Sequence, residues 1–133
     1  MRKIKFRAWE KSVRGLDARG MMWQSNETFK DYVVGFDGSV FEKFMDSFAG
    51  QSFDNYRDVS DRFVLMQYTG LKDKNGREIY EGDVVRNGNS RGAVEYLGSK
   101  FLAMDLTDNH GCNLLDEDAE VIGNIHEDPE LLK

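Results

Sequence analysis

The chain has 133 residues, a hydrophobic fraction of 40% and a net charge of −6, which is enough apolar material for one domain with its own core. Its single proline and mixed charges argue against global disorder, and its single cysteine excludes an intramolecular disulfide. The Met-Arg-Lys start resembles an export signal, but no apolar run follows it, and no stretch is long enough to span a bilayer. The composition therefore predicts a cytoplasmic protein with no membrane partner.

Charge is distributed unevenly along the chain. Residues 1–20 contain seven Lys or Arg and two acids, whereas residues 105–133 contain nine acids and one Lys. The two ends can attract each other within one chain or between two copies, so a homo-oligomer is one expectation. The negative net charge disfavours nonspecific binding to nucleic acid, which depends on neutralising phosphates, but it does not exclude a local basic face.

The first strand is predicted over residues 3–9, where apolar and basic side chains alternate. A period of two is typical of a half-buried strand. The apolar side carries Ile4, Phe6 and Ala8, and the predicted basic outer face carries Lys3, Lys5 and Arg7. Short apolar runs at residues 21–23 and 32–34 predict two further strands, and Asp37-Gly38 predicts a turn after them.

Residues 39–49 predict the only helix. Ser39 and Glu42 have the spacing of a capping box, and Gly50 is a typical residue after a helix end. The side chains that form one apolar stripe in a helix are Val40, Phe41, Phe44, Met45 and Phe48. Such a stripe is typical of core packing, with a partner-binding surface as the alternative. Residues 51–62 are polar and predict a linker.

The central segment, residues 63–86, predicts a strand, a hairpin and a tight corner into another strand. Its apolar start favours a strand, and Asn75-Gly76 is a strong hairpin signal because both residues tolerate positive φ. Glu81-Gly82-Asp83 predicts a second turn before a valine-rich strand. Two turns so close together exclude a helix of ordinary length.

The central sequence LMQYTGLKDKNGREIYEGDVV, the opening IKFRAW and the closing VIGNIHEDPELL resemble the YopX family of phage and prophage proteins. The resemblance covers both termini and the centre, whereas the sequence over roughly residues 24 to 60 departs from the family pattern. It implies a β-rich, SH3-like barrel encoded by a mobile element in a bacterial host cell. It implies no catalytic residue, because the biochemical role of the family is uncharacterised.

The expected organisation is mainly β, an SH3-like small barrel with an N-terminal β/helix extension. Residues 1–62 would form the extension, residues 63–126 the barrel and residues 127–133 a tail. Within the barrel region, turns are predicted at 87–90 and at Gly98-Ser99, and a last strand at 120–125. Asp128-Pro129-Glu130 is predicted to begin either a one-turn helix or an ordered tail.

No constellation of residues predicts catalysis or a cofactor. Asp108, His110, Cys112 and His126 are too few and wrongly spaced for structural zinc, and no motif around Cys112 suggests a nucleophile. Each glycine-containing turn precedes a strand, whereas phosphate-binding loops need a helix after the glycines. The sequence therefore predicts that the protein is not an enzyme and binds neither cofactor nor metal.

The candidate binding surface lies on the central hairpin, with the basic N-terminal strand beside it as an extension. Small barrels often bind peptides or nucleic acid through charged loops and aromatic grooves. The candidate residues are Lys72, Lys74, Arg77, Tyr68 and Tyr80, together with Lys3, Lys5 and Arg7. They predict a protein-binding module for a host or phage protein, with a nucleic-acid-binding accessory protein as the alternative.

Overall fold

A computed structural model describes residues 4–11, 20–23, 31–35, 37–106 and 113–132. The described residues are mainly β, as predicted, and form eleven strands. In chain order these are β1 Phe6–Glu10, β2 Gly20–Trp23, β3 Tyr32–Val34, β4 Val40–Phe48, β5 Gln51–Asp58, β6 Phe63–Lys72, β7 Glu78–Tyr80, β8 Asp83–Asn87, β9 Ser90–Leu97, β10 Lys100–Ala103 and β11 Glu120–Asn124.

The chain divides into two compact units. The N-terminal unit is Phe6–Leu65, and the C-terminal unit combines Met1–Lys5 with Met66–Lys133. The boundary between these units at residues 65 and 66 lies within β6, and the division between residues 62 and 63 stays a prediction. Closure of the C-terminal strands into an SH3-like barrel stays a prediction.

The N-terminal unit contains two antiparallel strand groups around one core. β1 pairs with β2, and the backbone N–H of Lys11 donates to the carbonyl of Arg62 just before β6. β4 lies between β3 and β5. The rings of Tyr32 and Phe63 meet edge to face at 5.2 Å, a favourable aromatic geometry. The buried core residues are Ala8, Met22, Tyr32, Val40, Val59 and Phe63.

The predicted basic outer face of β1 is wrong. The side chain of Arg7 is buried, at 1% exposure, and its guanidinium lies 5.2 Å from the centre of the Trp23 ring, whereas Ile4 is 66% exposed. The prediction assumed a strand with one solvated face. β1 instead has neighbours along both edges, β2 and β6, and both of its faces are covered.

The predicted helix over residues 39–49 is also wrong, because Val40–Phe48 is strand β4. It pairs with β5 without interruption from Phe41 opposite Asp58 to Phe48 opposite Gln51. The backbone N–H of Ser39 donates to the carboxylate of Asp37, so Ser39 belongs to a turn of the preceding loop. Phenylalanine and valine favour strands, and the long antiparallel partner outweighs the helical spacing. The predicted linker at 51–62 is replaced by β5 and a 3₁₀ turn at Ser60–Arg62.

A two-residue turn joins β4 to β5. Ala49 and Gly50 both have positive φ, +54° and +80°, as a type I′ hairpin turn requires. The glycine that predicted a helix end is therefore the second residue of a hairpin turn. Alanine at the first position is strained, because its Cβ crowds the backbone at positive φ.

Ala49→Asn is expected to stabilise this hairpin by about 1 kcal/mol, because asparagine is favoured at the first position of a type I′ turn. Hydrogen exchange of the backbone amides of Glu42, Phe44 and Asp46, which face β5, should become slower. Ala49→Val should accelerate the same exchange, since β-branched residues tolerate positive φ poorly. Equal exchange in both variants would contradict the turn assignment.

The C-terminal unit contains a four-stranded antiparallel sheet in the order β10-β9-β8-β11. Its turns occur where the sequence predicts them: Gly76, Gly82, Gly88 and Gly98 all have positive φ. Pro129–Leu132 forms the predicted helical turn, here of the 3₁₀ type. The buried core of this unit consists of Ile79, Val85, Val94, Ala103, Leu114, Ala119 and Val121.

Candidate binding surface

Asp73 organises the central hairpin from its interior. One carboxylate oxygen accepts from the backbone N–H groups of Asn75 and Arg77, and the other accepts from Val121 N–H in β11, each at 2.9 Å. Burial alone raises the pKa of Asp73, but these three donors and the charge of Arg77 outweigh it and hold the pKa below its usual value. Asp73 therefore fixes the turn and ties it to the last strand.

The corner at Glu81-Gly82-Asp83 is held in a similar way. Asp83, 1% exposed, accepts from the backbone N–H of Tyr80 at 2.8 Å, and Glu81 accepts from Gln67 N–H at 2.9 Å. Gly82 has φ +83°, and a Cβ there would lie 2.9 Å from the sulfur of Met66. Glycine is therefore required both by the backbone and by the neighbouring side chain.

These contacts explain the central sequence in structural terms. Asp73, Glu81 and Asp83 are polar because buried or half-buried backbone N–H groups need acceptors, and Gly76 and Gly82 supply positive φ. Thr69 adds a hydroxyl that donates to the carbonyl of Ile79 at 2.8 Å. The residues of the segment that carries the family resemblance therefore serve to form a hairpin and a corner.

The two tyrosines predicted to flank the binding surface are part of the interior. Tyr68 and Tyr80 are 6% and 4% exposed, and their rings lie 5.5 Å apart across β6 and β7. They lie directly opposite each other in the strand register, so each covers the other. Rings in this position are not available to stack on a base or a partner residue.

The predicted cations have different surroundings. Lys5 forms a 2.6 Å ion pair with Glu78, and this hydrogen bond raises the pKa of Lys5 above its usual value. Lys74 lies 3.5 Å from Glu120. Lys72 and Arg77 are exposed on the hairpin. Arg7 belongs to the N-terminal unit, and Lys3 lies outside the described residues. Lys5 and Lys74 are therefore each paired with a carboxylate, whereas Lys72 and Arg77 are exposed.

Most of the residues weighed for metal binding lie outside the part of the chain that the structure describes. Asp108, His110 and Cys112 lie outside the described residues, and His126 is half-buried in the turn after β11. Over residues 4–11, 20–23, 31–35, 37–106 and 113–132, no three His, Cys, Asp or Glu side chains are grouped to hold a metal ion. In the same ranges, no helix is both long and apolar enough to cross a membrane.

The C-terminal unit also has a shallow groove of about 240 Å³ between the end of β6 and the β9–β10 hairpin. Tyr96 and Phe101 form its aromatic wall, with ring centres 4.9 Å apart. The remaining lining residues are Thr69, Leu71, Ser99 and Lys100. The groove has no buried charge or converging polar groups that would define a small-molecule ligand.

The two most exposed large apolar side chains among the described residues, Phe48 and Met45, lie on the β4–β5 hairpin, and sequence reasoning placed both on a helical stripe with a partner-binding surface as the alternative. Met45 is 71% exposed, Phe48 79%, Phe53 44% and Tyr56 52%. We call these four residues the arm surface. A strand interpretation of residues 40–58 would have identified them as one set, because Phe53 and Tyr56 would then lie diagonally across from Phe48 and Met45. The dipeptide Ala49-Gly50, which forms the two-residue hairpin turn, was the feature of the sequence that could have indicated two strands here.

The strand register divides the arm surface between two faces. Directly opposed residues share a face, and Phe48 opposes Gln51 while Asp46 opposes Phe53, so Phe48 and Phe53 lie diagonally on one face. Met45 and Tyr56 lie diagonally on the other. A 3.2 Å hydrogen bond from the side chain of Asn55 to that of Asp46 links β5 to β4. At the base of the hairpin, Arg57 lies 4.3 Å from the centre of the Phe44 ring.

Comparison with known proteins identifies the family. The chain resembles the crystal structure of protein EF1440 from Enterococcus faecalis, with 28% identity, coverage of 98% of this chain and 99% of that one, and a TM-score of 0.56. It shares its fold with protein yopX from Bacillus subtilis, at 20% identity, full coverage of both chains and a TM-score of 0.57. No curated protein matches it. The sequence model of the protein family described as YopX protein matches residues 5–133, and the chain therefore belongs to the YopX family.

Proposed function

We propose that this chain is a non-enzymatic protein-binding module that contacts a host or phage protein through the arm surface. The observation that supports this most strongly is the exposure of Phe48 and Met45, 79% and 71%, on a regular hairpin. Aromatic residues and methionine are enriched at the centres of protein interfaces, and each face of the hairpin carries an exposed apolar pair, Phe48 with Phe53 on one and Met45 with Tyr56 on the other, of the kind that marks interaction sites.

The hairpin is suited to binding because it is ordered before a partner arrives. β4 and β5 pair over eight consecutive residue pairs, and the side-chain contacts of Asn55 with Asp46 and of Arg57 with Phe44 fix one face. A preformed surface loses less conformational entropy on binding than a flexible loop does. The exposed apolar groups therefore need little reorganisation to bury their area.

The charges of the arm favour a protein partner over nucleic acid. Its cations are already paired: Arg57 lies 3.5 Å from Glu42, and Lys43 lies 4.0 Å from Asp31. Binding to nucleic acid relies on Lys and Arg that neutralise phosphates. An apolar surface with neutralised cations matches the buried core of a protein interface better.

The test is quantitative capture of partners from a bacterial host lysate, with and without phage proteins. The double variant Met45→Ser, Phe48→Ser should reduce recovery of the specific partner by at least about tenfold, as loss of central interface residues does. Its unfolding midpoint should stay close to that of the unchanged chain, because exposed substitutions alter stability by less than about 0.5 kcal/mol.

The control is Tyr96→Ser, Leu97→Ser, which removes two exposed but less protruding apolar groups, 53% and 50% exposed, from the β9–β10 hairpin. This control should retain the partner. Equal recovery with both double variants would contradict the proposal. A loss confined to the control would assign binding to the other hairpin.

A further inference from the structure

Strand β5 has an edge without a partner strand among the described residues, because the strand order is β3-β4-β5. One hydrogen bond shows which backbone N–H groups of β5 point towards β4: the N–H of Val59, just after β5, donates to the carbonyl of Val40 in β4 at 2.8 Å. Hydrogen bonding alternates along an antiparallel pair, so Gln51, Phe53 and Asn55 also point their N–H groups at β4. The even-numbered residues Ser52, Asp54 and Tyr56 therefore point outward.

The outward N–H groups are not equivalent. The N–H of Tyr56 donates to the side-chain oxygen of Asn55 at 2.8 Å, which covers that position of the edge. Across the described part of the chain, the N–H groups of Ser52 and Asp54 have no such acceptor. An open pair of donors with carbonyls between them is a template for pairing with another strand.

We infer that two copies of this chain pair antiparallel through their β5 edges, about a two-fold axis at Phe53. In this register Ser52 of each copy lies opposite Asp54 of the other, and these two open N–H groups become the ladder donors. The covered N–H of Tyr56 stays outside the ladder. The arrangement forms a six-stranded sheet in which the two copies contribute β3, β4 and β5 each.

Side-chain chemistry selects this register from the symmetric alternatives. A two-fold axis at residue 54 would place the two Asp54 carboxylates opposite each other, and an axis at residue 56 would place Asp54 opposite Asp58. Like charges directly opposite are destabilising. An axis at Asn55 would need the N–H of Tyr56, which is already occupied. Of these four axes, at residues 53, 54, 55 and 56, only the axis at Phe53 avoids both the like-charge pairs and the occupied N–H.

The selected register also makes favourable pairs. The two Phe53 rings face each other at the closely spaced, non-hydrogen-bonded position, where aromatic cross-strand pairs interact best. Ser52 can donate its hydroxyl to Asp54 of the second copy, and Gln51 lies opposite Asn55 with matching amide groups. About four backbone hydrogen bonds and one aromatic pair form a small interface, so the dimer is expected to be weak and concentration-dependent.

Edge pairing goes beyond the proposed function: it uses the rim of the hairpin and one residue of the arm surface, Phe53, and it leaves Met45 and Phe48 exposed. A dimer would present two arm surfaces in one sheet, and a bivalent contact strengthens binding without any new side-chain contact. The two proposals can fail independently, because Asp54→Pro should abolish self-association and Met45→Ser, Phe48→Ser should abolish partner binding.

The test is disulfide capture in a Cys112→Ser background. Phe53→Cys places two thiols across the proposed axis, where the Cβ separation of a non-hydrogen-bonded pair is close to that of a disulfide. Mild oxidation should convert Phe53→Cys mostly to covalent dimer. The controls Asn55→Cys and Met45→Cys, on the same hairpin, should remain mostly monomeric. Equal cross-linking at all three positions, or none at position 53, would overturn the inference.

Sedimentation of the chain without introduced cysteines gives an independent readout. Its mean mass should rise with concentration, and Asp54→Pro should abolish that rise, because proline removes the outward donor and leaves the β4 ladder intact. Ser47→Pro, whose N–H points to the opposite edge of the hairpin, should still associate. A mass that stays at one chain at every concentration would contradict the inference.

Discussion

Gly92→Ala is expected to lower the free energy of unfolding by about 3 kcal/mol, a large effect for one methyl group. Gly92 lies in β9, where the chain at Met104 passes over it. An added Cβ would overlap the carbonyl oxygen of Met104 and lie 2.8 Å from its carbonyl carbon. The hydrogen bond from Leu106 N–H to Arg91 carbonyl, 2.9 Å, holds the crossing chain in place. Backbone atoms therefore cannot move aside cheaply.

Denaturant unfolding of the purified variant measures this effect. The matched control is Gly88→Ala, at φ +62° in an open turn where an added Cβ meets nothing within 4 Å. That change should cost about 1 kcal/mol from backbone strain alone. If Gly92→Ala costs no more than Gly88→Ala, the close approach of β9 and the chain at Met104 is wrong.

Asp73→Ala is expected to cost about 3 kcal/mol, because it leaves three backbone N–H groups without their acceptor and each lost partner costs a sizeable desolvation penalty. Those groups belong to Asn75, Arg77 and Val121, so both the hairpin turn and its link to β11 should loosen. Thermal unfolding measures the cost. Asp118→Ala removes an exposed carboxylate from the same unit and should change stability by less than about 0.5 kcal/mol.

The same carboxylate predicts acid sensitivity. The pKa of Asp73 is lower in the folded chain than its ordinary value, which is about 3.9 for an unfolded aspartate. Its contribution to stability is therefore complete above that value and is lost as the pH falls towards the folded pKa. The unchanged chain should lose more stability between pH 5 and pH 2 than Asp73→Asn does, in urea titrations at each pH. Parallel pH profiles would show that Asp73 does not hold its charge in the fold.

Local chemistry made the C-terminal unit predictable. Asn75-Gly76 and Glu81-Gly82-Asp83 specify turns through positive φ and short side chains that bind their own backbone. The strands between them are short, so the turn positions alone fix most of their bounds. The positions of β6 to β9 and the turn near Gly98 were visible in the sequence for this reason.

The N-terminal unit was less predictable because its decisive contacts are long-range. The spacing of Phe41, Phe44, Met45 and Phe48 fits one face of a helix, and only the pairing of β4 with β5 favours a strand. Arg7 looked solvated because alternation cannot show that a strand has neighbours on both edges. Tyr68 and Tyr80 looked like a surface pair for the same reason, since cross-strand partners are set by register.

Site-specific photo-crosslinking in host cells tests whether recognition belongs to the arm surface while the central hairpin serves the fold. A photoreactive residue would replace Phe48 in one variant and Lys72, exposed on the central hairpin, in another. We expect a discrete adduct with a partner from position 48 and none from position 72. Adducts from position 72 with none from position 48 would contradict this expectation and return the binding role to the central hairpin.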